Sequence, residues 1–374
     1  MPVQLIGKLL PFTPYLSRIL RTEGSNKSLL GFFSPENWRS KSLGKTLRCL
    51  SDPKRLDLIQ SQAFENLSEW EKVRAPFPHQ VQVYQEDWGV SALNVTKRHG
   101  VIYPILNNAS AIFPGGLFLQ NGSAQEENLF HRSTLALTLA DSSTLYDEKK
   151  KMFLYDKPTY HLINAETKMS PIELDILSSI YGKKVSLAFK VFFKGEPHIC
   201  FREPEYLVES QDPETRLSSK SIFFAESSMS FLFSEQKRIF PFYDFRSAAI
   251  DLSNHSLNLK NEADLSKYQN DLERRIAAQL DTLILYRTPR AILGALGCGC
   301  YKNPPELVAK IYRQEIIKRA PFFEHLVFAI ASSTTRDELR NFSVFKEILN
   351  GLALGPKAIK NDTEISTQPL ITPH

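Results

Sequence analysis

Cysteine is scarce in this chain: Cys49, Cys200, Cys298 and Cys300 are the only four among 374 residues. So few thiols exclude the disulfide framework of a small secreted domain, and reduced thiols in a soluble intracellular protein are expected. Cys298-Gly299-Cys300 is a C-x-C, not a C-x-x-C, and no Cys/His pair elsewhere completes a zinc site. Neither a metal nor a cofactor is therefore expected. Long apolar runs are lacking too, since none reaches the roughly 20 residues that cross a bilayer. Residues 1–21 hold Lys8, Arg18 and Arg21 with no acid before Glu23, but Pro11 and Pro14 interrupt any helix there. Without a continuous apolar core or a small-residue cleavage site, the segment reads as a short docking helix, with a targeting or membrane-surface helix as the alternative. No internal repeat is visible.

Hydrophobic residues make up 42% and charged residues 23%, the balance of an ordinary globular protein. The length suits one large domain with additions, or two domains. A net charge of +5 and a pI near 8.8 suit an anionic ligand such as a dinucleotide, and would equally suit a nucleic-acid surface.

Residues up to about 78 read as an N-terminal helical extension closed by the prolines of Pro76-Phe77-Pro78. Beyond it, strands are predicted at Val81 to Tyr84 and Val101 to Leu106, with a helix between them over Gly89 to Arg98. Gln125 to Leu139 has apolar residues at near-helical spacing. Strand-like runs follow at Val185 to Phe193, Ser221 to Phe224, Phe231 to Phe233 and Ile239 to Phe245. A long helix over Leu265 to Tyr286, a strand at Ala291 to Leu293, a helix over Glu306 to Arg319, a strand at His325 to Ile330 and a helix over Val344 to Leu349 complete the pattern. This alternation predicts an α/β/α sandwich, and residues 353–374 read as a polar, flexible tail.

Two glycine turns stand out. In Pro114-Gly115-Gly116-Leu117, paired glycines let backbone N–H groups approach a ligand, and Gln125-Glu126-Glu127 places two carboxylates shortly after them. The second turn, Leu293-Gly294-Ala295-Leu296-Gly297-Cys298-Gly299-Cys300-Tyr301, runs from a strand towards a helix, a common setting for a phosphate. Neither turn is specific alone, and carboxylates at a solvated helix start are ordinary.

Together the two resemble the signature of microbial-type poly(ADP-ribose) glycohydrolases, a branch of the macrodomain superfamily. The resemblance lies in Leu106-Asn107-Asn108-Ala109-Ser110-Ala111, the Pro-Gly-Gly turn, Ala124-Gln125-Glu126-Glu127 with Arg132-Ser133, and then Leu293 to Gly299 with Asn303-Pro304. It spans roughly residues 80 to 350. It implies a three-layer α/β/α macrodomain with a mixed central sheet over residues 79–352, an insertion around 149–224, and the N-terminal extension.

The resemblance also implies site roles. Glu127 matches the catalytic acid: cleavage at the anomeric carbon of ADP-ribose passes through an oxocarbenium-like state, so the leaving group needs a proton. Glu126, about 100° away around the helix, is assigned to ribose hydroxyls or to orienting the substrate. Asn107 or Asn108 would meet the distal ribose, Asn107 being the aligned one. Gly115 and Gly116 would wrap the ribose and diphosphate, with Gln125 supporting the loop. Gly297, Cys298, Gly299 and Cys300 would present amides to the diphosphate, and Tyr301 an aromatic face. Asn303 and Pro304 would shape the next helix start, and His131, one turn after Glu127, reads as a surface or capping residue, with a place facing the pocket as the alternative. Leu117 departs from the family, which has a third glycine there. The implied protein is a monomeric ADP-ribosyl hydrolase acting on protein-linked mono- or poly-ADP-ribose, with ADP-ribose and ADP-ribosylated protein, not nucleic acid, as partners. An ADP-ribose reader without turnover is the alternative. A cytoplasmic location is expected, with delivery into a host cell or mitochondrial import left open.

Overall fold

The computed structural model describes residues 45–118, 122, 124–147, 152–204, 208–209, 222–223, 236–253, 257–331 and 336–355. The expected strand at Phe231 to Phe233, the tail from residue 356 and the basic segment 1–21 lie outside these residues.

In chain order, helix α1 (residues 45–51) and α2 (Pro53–Lys72) precede strand β1 (Gln80–Tyr84), helix α3 (Trp88–His99) and β2 (Pro104–Ala109). Helix α4 (Gln125–Arg132) leads through a 3-10 turn, Thr134–Ala140, to β3 (Thr144–Asp147) and β4 (Met152–Tyr155). Next come α5 (Lys157–Ile163), β5 (Thr167–Lys168), α6 (Pro171–Tyr181), β6 (Phe189–Lys190), β7 (Phe192–Cys200), β8 (Val208–Glu209) and β9 (Ile222–Phe223). β10 (Phe240–Ala248), α7 (Glu262–Leu285), β11 (Arg290–Leu293), α8 (Pro305–Arg319), β12 (His325–Ala329) and α9 (Arg336–Leu349) follow.

The chain folds as two compact units, each assembled from three stretches. The first takes residues up to 72, 113–155 and 198–241, and the second takes 73–112, 156–197 and the chain from 242 onward. The second holds the main sheet, ordered β1-β12-β11-β2-β10-β7. From β1 to β10 the neighbours are all parallel. Strands buried on both faces need apolar residues at successive positions, which Ala291-Ile292-Leu293 and Leu326-Val327-Phe328 supply. Val81, Val83, Leu106, Phe245, Leu293 and Phe328 share one core with Leu272 and Leu280 of α7, Val308 and Tyr312 of α8, and Phe345 of α9. The alternate residues Ile105, Ile292 and Val327 point to the other face, where α3 lies against β11 and β12. Each such fully buried side chain contributes about 1.5–3 kcal/mol.

Local sequence sets the helix ends. Asp87 caps α3 by accepting from the N–H groups of Gly89 (2.8 Å) and Val90 (3.2 Å). Gly100, at φ 62°, closes it in the left-handed region, and Lys97, Arg98 and His99 complement its C-terminal dipole. Ser170 and Glu173 form a capping box on α6.

The stretch 149–224, expected as an insertion, supplies β7 to the main sheet and Leu177 and Val191 to its core. In the first unit, α2 is tied down by Asn66, whose Nδ2 donates to the carbonyls of Gln236 (2.6 Å) and Ile239 (2.8 Å). Residues 45–72 thus pack with 113–155 and 198–241, whereas the sequence reading set everything before residue 79 apart as an extension.

Candidate active site

The first unit gathers its candidate residues around the start of α4. Gly115 and Gly116 both sit at positive φ, 79° and 56°, where a side chain is strained. This conformation folds the turn over the first turn of α4. Gly115 N–H donates to Glu126 Oε1 at 3.0 Å, and Leu117 N–H donates to Glu127 Oε1 at 2.8 Å. A Cβ on Gly116 would lie 2.5 Å from Glu127 Oε1, and one on Gly122 would lie 2.7 Å from Glu127 Cγ. A Cβ at either glycine would therefore force the same Glu127 side chain to shift.

Glu126 and Glu127 are only 3% and 7% exposed. Although adjacent on the helix, both reach the same turn: the position of a Gly116 Cβ is 3.1 Å from Glu126 Oε2 as well. The hydroxyl of buried Tyr155, at the end of β4, lies 3.5 Å from Glu126 Oε1. Glu127 Oε2, in contrast, is buried without a hydrogen-bond partner among the described residues. A buried oxygen left in that state is costly unless something meets it. Gln125, half-buried, opens the helix, and Ala124 provides no side-chain cap. Of the surface and capping roles expected for His131, burial removes the first: it is 1% exposed, with its ring edge-on to Phe118 at 5.5 Å. One helical turn after Glu127 it falls on the packed face, where the Phe118 ring also lies tilted against Phe130 at 5.4 Å.

The second unit holds the remaining candidates. Strand alternation sends Asn107 and Asn108 to opposite faces of β2. Asn107 is fully buried, paired in register with Arg246. Its amide lies close enough to Asp244 to favour that carboxylate, though not in an aligned hydrogen bond. Burial pushes the Asp244 carboxyl up, opposed chiefly by Arg246, whose Nε donates to Asp244 Oδ2 at 2.6 Å and whose guanidinium lies over Phe192. Asn108 is partly exposed, and its Nδ2 is 2.9 Å from where a Cβ on Gly294 would stand. The asparagine with solvent access is thus Asn108, not the aligned Asn107.

In the loop after β11, Gly297 is at φ 72°, and a Cβ there would meet Asn303 Nδ2 at 2.4 Å and Ala249 Cβ at 2.6 Å. Its glycine is required by packing. Asn303 ties the loop, donating to the carbonyls of Ile250 (2.7 Å) and Gly297 (3.1 Å) and accepting from Tyr268 (2.7 Å), while Pro304 is the N-cap of α8. The Cys298 N–H is already donated to Ala295 O at 3.0 Å, so the turn itself takes the amide expected to face a phosphate. The N–H groups of Gly297, Gly299 and Cys300 meet no acceptor among the described residues. A Cβ on Gly299 would enter open space. Cys298 is buried, which raises its thiol, and Cys300 is exposed. Tyr301 is half-buried against the core. Among the described residues, no three His, Cys, Asp or Glu side chains cluster so as to hold a metal ion.

Sequence reasoning missed Gly122 and Tyr155. Gly122 was visible as a glycine close before Gln125, but Tyr155 lies 29 residues from Glu126 and has no local signal.

Residues 53–163 match the family model of the microbial-type PARG catalytic domain. The match begins upstream of the motif resemblance read from the sequence and does not reach the loop at 293–303. No curated protein sequence matches the chain with significance. Among solved structures, poly(ADP-ribose) glycohydrolase from Thermomonospora curvata is similar at 18% identity and TM-score 0.48, over 83% of this chain and 99% of that one. The enzyme from Deinococcus radiodurans, solved with ADP-ribose, is similar at 18% identity and TM-score 0.43, over 77% and 90%. The stretch that is similar to the microbial-type PARG catalytic domain, residues 53–163, contains the Gly115-Gly116 turn and the Glu126-Glu127 pair.

Proposed function

We propose that this protein is a glycosidase-type hydrolase of macrodomain type that cleaves ADP-ribose from modified protein, as monomer or polymer, with Glu127 as its acid. The observation that carries the reading is the asymmetry of Glu127. One carboxyl oxygen is held by the Leu117 amide, and the other is buried without a partner among the described residues. A carboxyl group held in this way keeps one oxygen available to deliver a proton to the leaving atom as the anomeric bond breaks, then to take one from the water that adds to the same carbon. Glu126 is held differently, by the Gly115 amide and Tyr155, and serves to shape the turn and place the substrate. The match to microbial-type PARG catalytic domains supports both assignments, because it covers this turn and this helix. The loop at 293–303 enters as a separate proposal, contributing the amides of Gly299 and Cys300 to the diphosphate.

Glu127→Gln keeps the size and one hydrogen-bonding oxygen but cannot deliver a proton. Its release of ADP-ribose from modified protein and from polymer is expected to fall about 10²- to 10⁴-fold, with ADP-ribose affinity by calorimetry largely kept. Wild-type turnover by this variant would refute the assignment. Binding without turnover by the unmodified protein on every linkage tried would favour the reader instead.

A further inference from the structure

We infer that Thr46, with Arg202, is a positioning residue for Glu127, acting through the far end of α4; the inference rests on the hydrolase reading above. Helix α4 has only eight residues, too few to be stable alone. Its last carbonyls have no partner within the helix. Three of these carbonyls are met by groups of the first unit. Thr46 Oγ1 donates to His131 O at 2.6 Å, Phe201 N–H donates to Arg132 O at 3.0 Å, and Ser133 Oγ donates to Leu129 O at 2.7 Å.

Thr46 is itself oriented, because Arg202 Nη1 donates to its Oγ1 at 2.6 Å, leaving its proton directed at His131 O. Arg202 also receives Arg132 Nε at its carbonyl, 3.3 Å away, and Arg132 Nη1 donates to Asn128 Oδ1 at 2.8 Å. Thr46 and Arg202 are 0% and 2% exposed, so water does not substitute for either. A cation placed at a helix C-terminus is favoured by the helix dipole as well. His131 stands four residues after Glu127, about 6 Å along the axis. A shift of the helix at the Thr46 contact is therefore passed to the carboxylate with little loss. Residue 46 lies 85 positions from His131 in the chain and upstream of the matched family segment. A chain begun near residue 80 would lack this brace.

The test uses the full chain. Thr46→Val keeps the shape and removes the hydroxyl, and Thr46→Ser keeps the hydroxyl. Thr46→Val is expected to lose about 10- to 100-fold in kcat with KM and ADP-ribose affinity within about twofold, as a small misplacement of a reacting group does. Thr46→Ser should restore kcat. Unchanged kcat per folded molecule in Thr46→Val overturns the inference, as does a loss that Thr46→Ser shares. If Thr46→Val does not fold, Arg202→Lys, which withdraws the guanidinium and keeps the charge, is read the same way. Glu127→Gln separates the two claims: if it is inactive while Thr46→Val is normal, the brace fails alone, and if it is active, the hydrolase reading fails first.

Discussion

At Gly116 the backbone conformation and the carboxylate compete for the same space. Alanine there would need φ near +56°, at a cost of about 1–2 kcal/mol, and would drive its methyl into Glu127 Oε1. Gly116→Ala is therefore expected to lose most turnover while remaining folded, because the carboxylate can move only by giving up the Leu117 amide. Turnover assays beside thermal melts check this; a variant as active as the parent would mean that the turn does not hold Glu127. Leu117 behaves otherwise. It stands where the resemblance leads one to expect a third glycine, yet its φ is not positive and it is 49% exposed, so the backbone there does not need glycine. The Gly-Gly turn and the Glu pair were legible in the sequence because they are close neighbours in it. Thr46, Tyr155 and Arg202 were not, since each reaches α4 from a distant stretch and carries no pattern of its own.

Helix identities were legible where apolar spacing met a side-chain cap, as in α3 and α7. Boundaries moved where a tertiary partner intervened. The second strand runs over 104–109, not 101–106, because Gly100 ends α3 and residues 101–103 complete the turn. Helix α4 stops at Arg132, not Leu139, because Ser133 is drawn into an extended bridge with Cys200. Strand β12 opens with a group no pattern announced. His325 is fully buried, its Nε2 donating to Gln82 Oε1 (2.7 Å) and its Nδ1 accepting from Tyr103 Oη (2.8 Å), with His99 edge-on at 5.4 Å. Burial pulls its pKa down from 6.5 to about 3, with His99 and Arg98 adding to the effect. Between those values the unfolded chain binds the extra proton and the fold does not, so stability is complete above about pH 6.5 and falls as the pH drops towards 3. Each pH unit in that window costs about 1.4 kcal/mol from this group. Urea unfolding at pH 7.5 and 5.0 should show a smaller difference for His325→Gln than for the parent; equal differences would remove His325 as the cause.

For the molecule as a whole, the alternation of strands and helices was legible, but the partition of the chain was not. Each unit draws on three separate stretches, and nothing local in residues 45–72 or 198–204 says which later segment they will meet. Among the described residues, no helix is long and apolar enough to cross a membrane.

The unequal burial of the four cysteines turns the native molecule into its own reporter. Cys49, Cys200 and Cys298 are buried, and burial holds the Cys49 and Cys298 thiols protonated and slow to react. A maleimide dye should therefore take up one equivalent quickly, at Cys300, and the remaining three only on denaturation. Mass spectrometry of the labelled peptides checks the count. Because Cys300 sits in the loop proposed for the diphosphate, ADP-ribose should slow that first labelling. An unchanged rate at saturating ligand would take the loop out of the proposed site, and a slowed one would give a binding assay that needs no turnover.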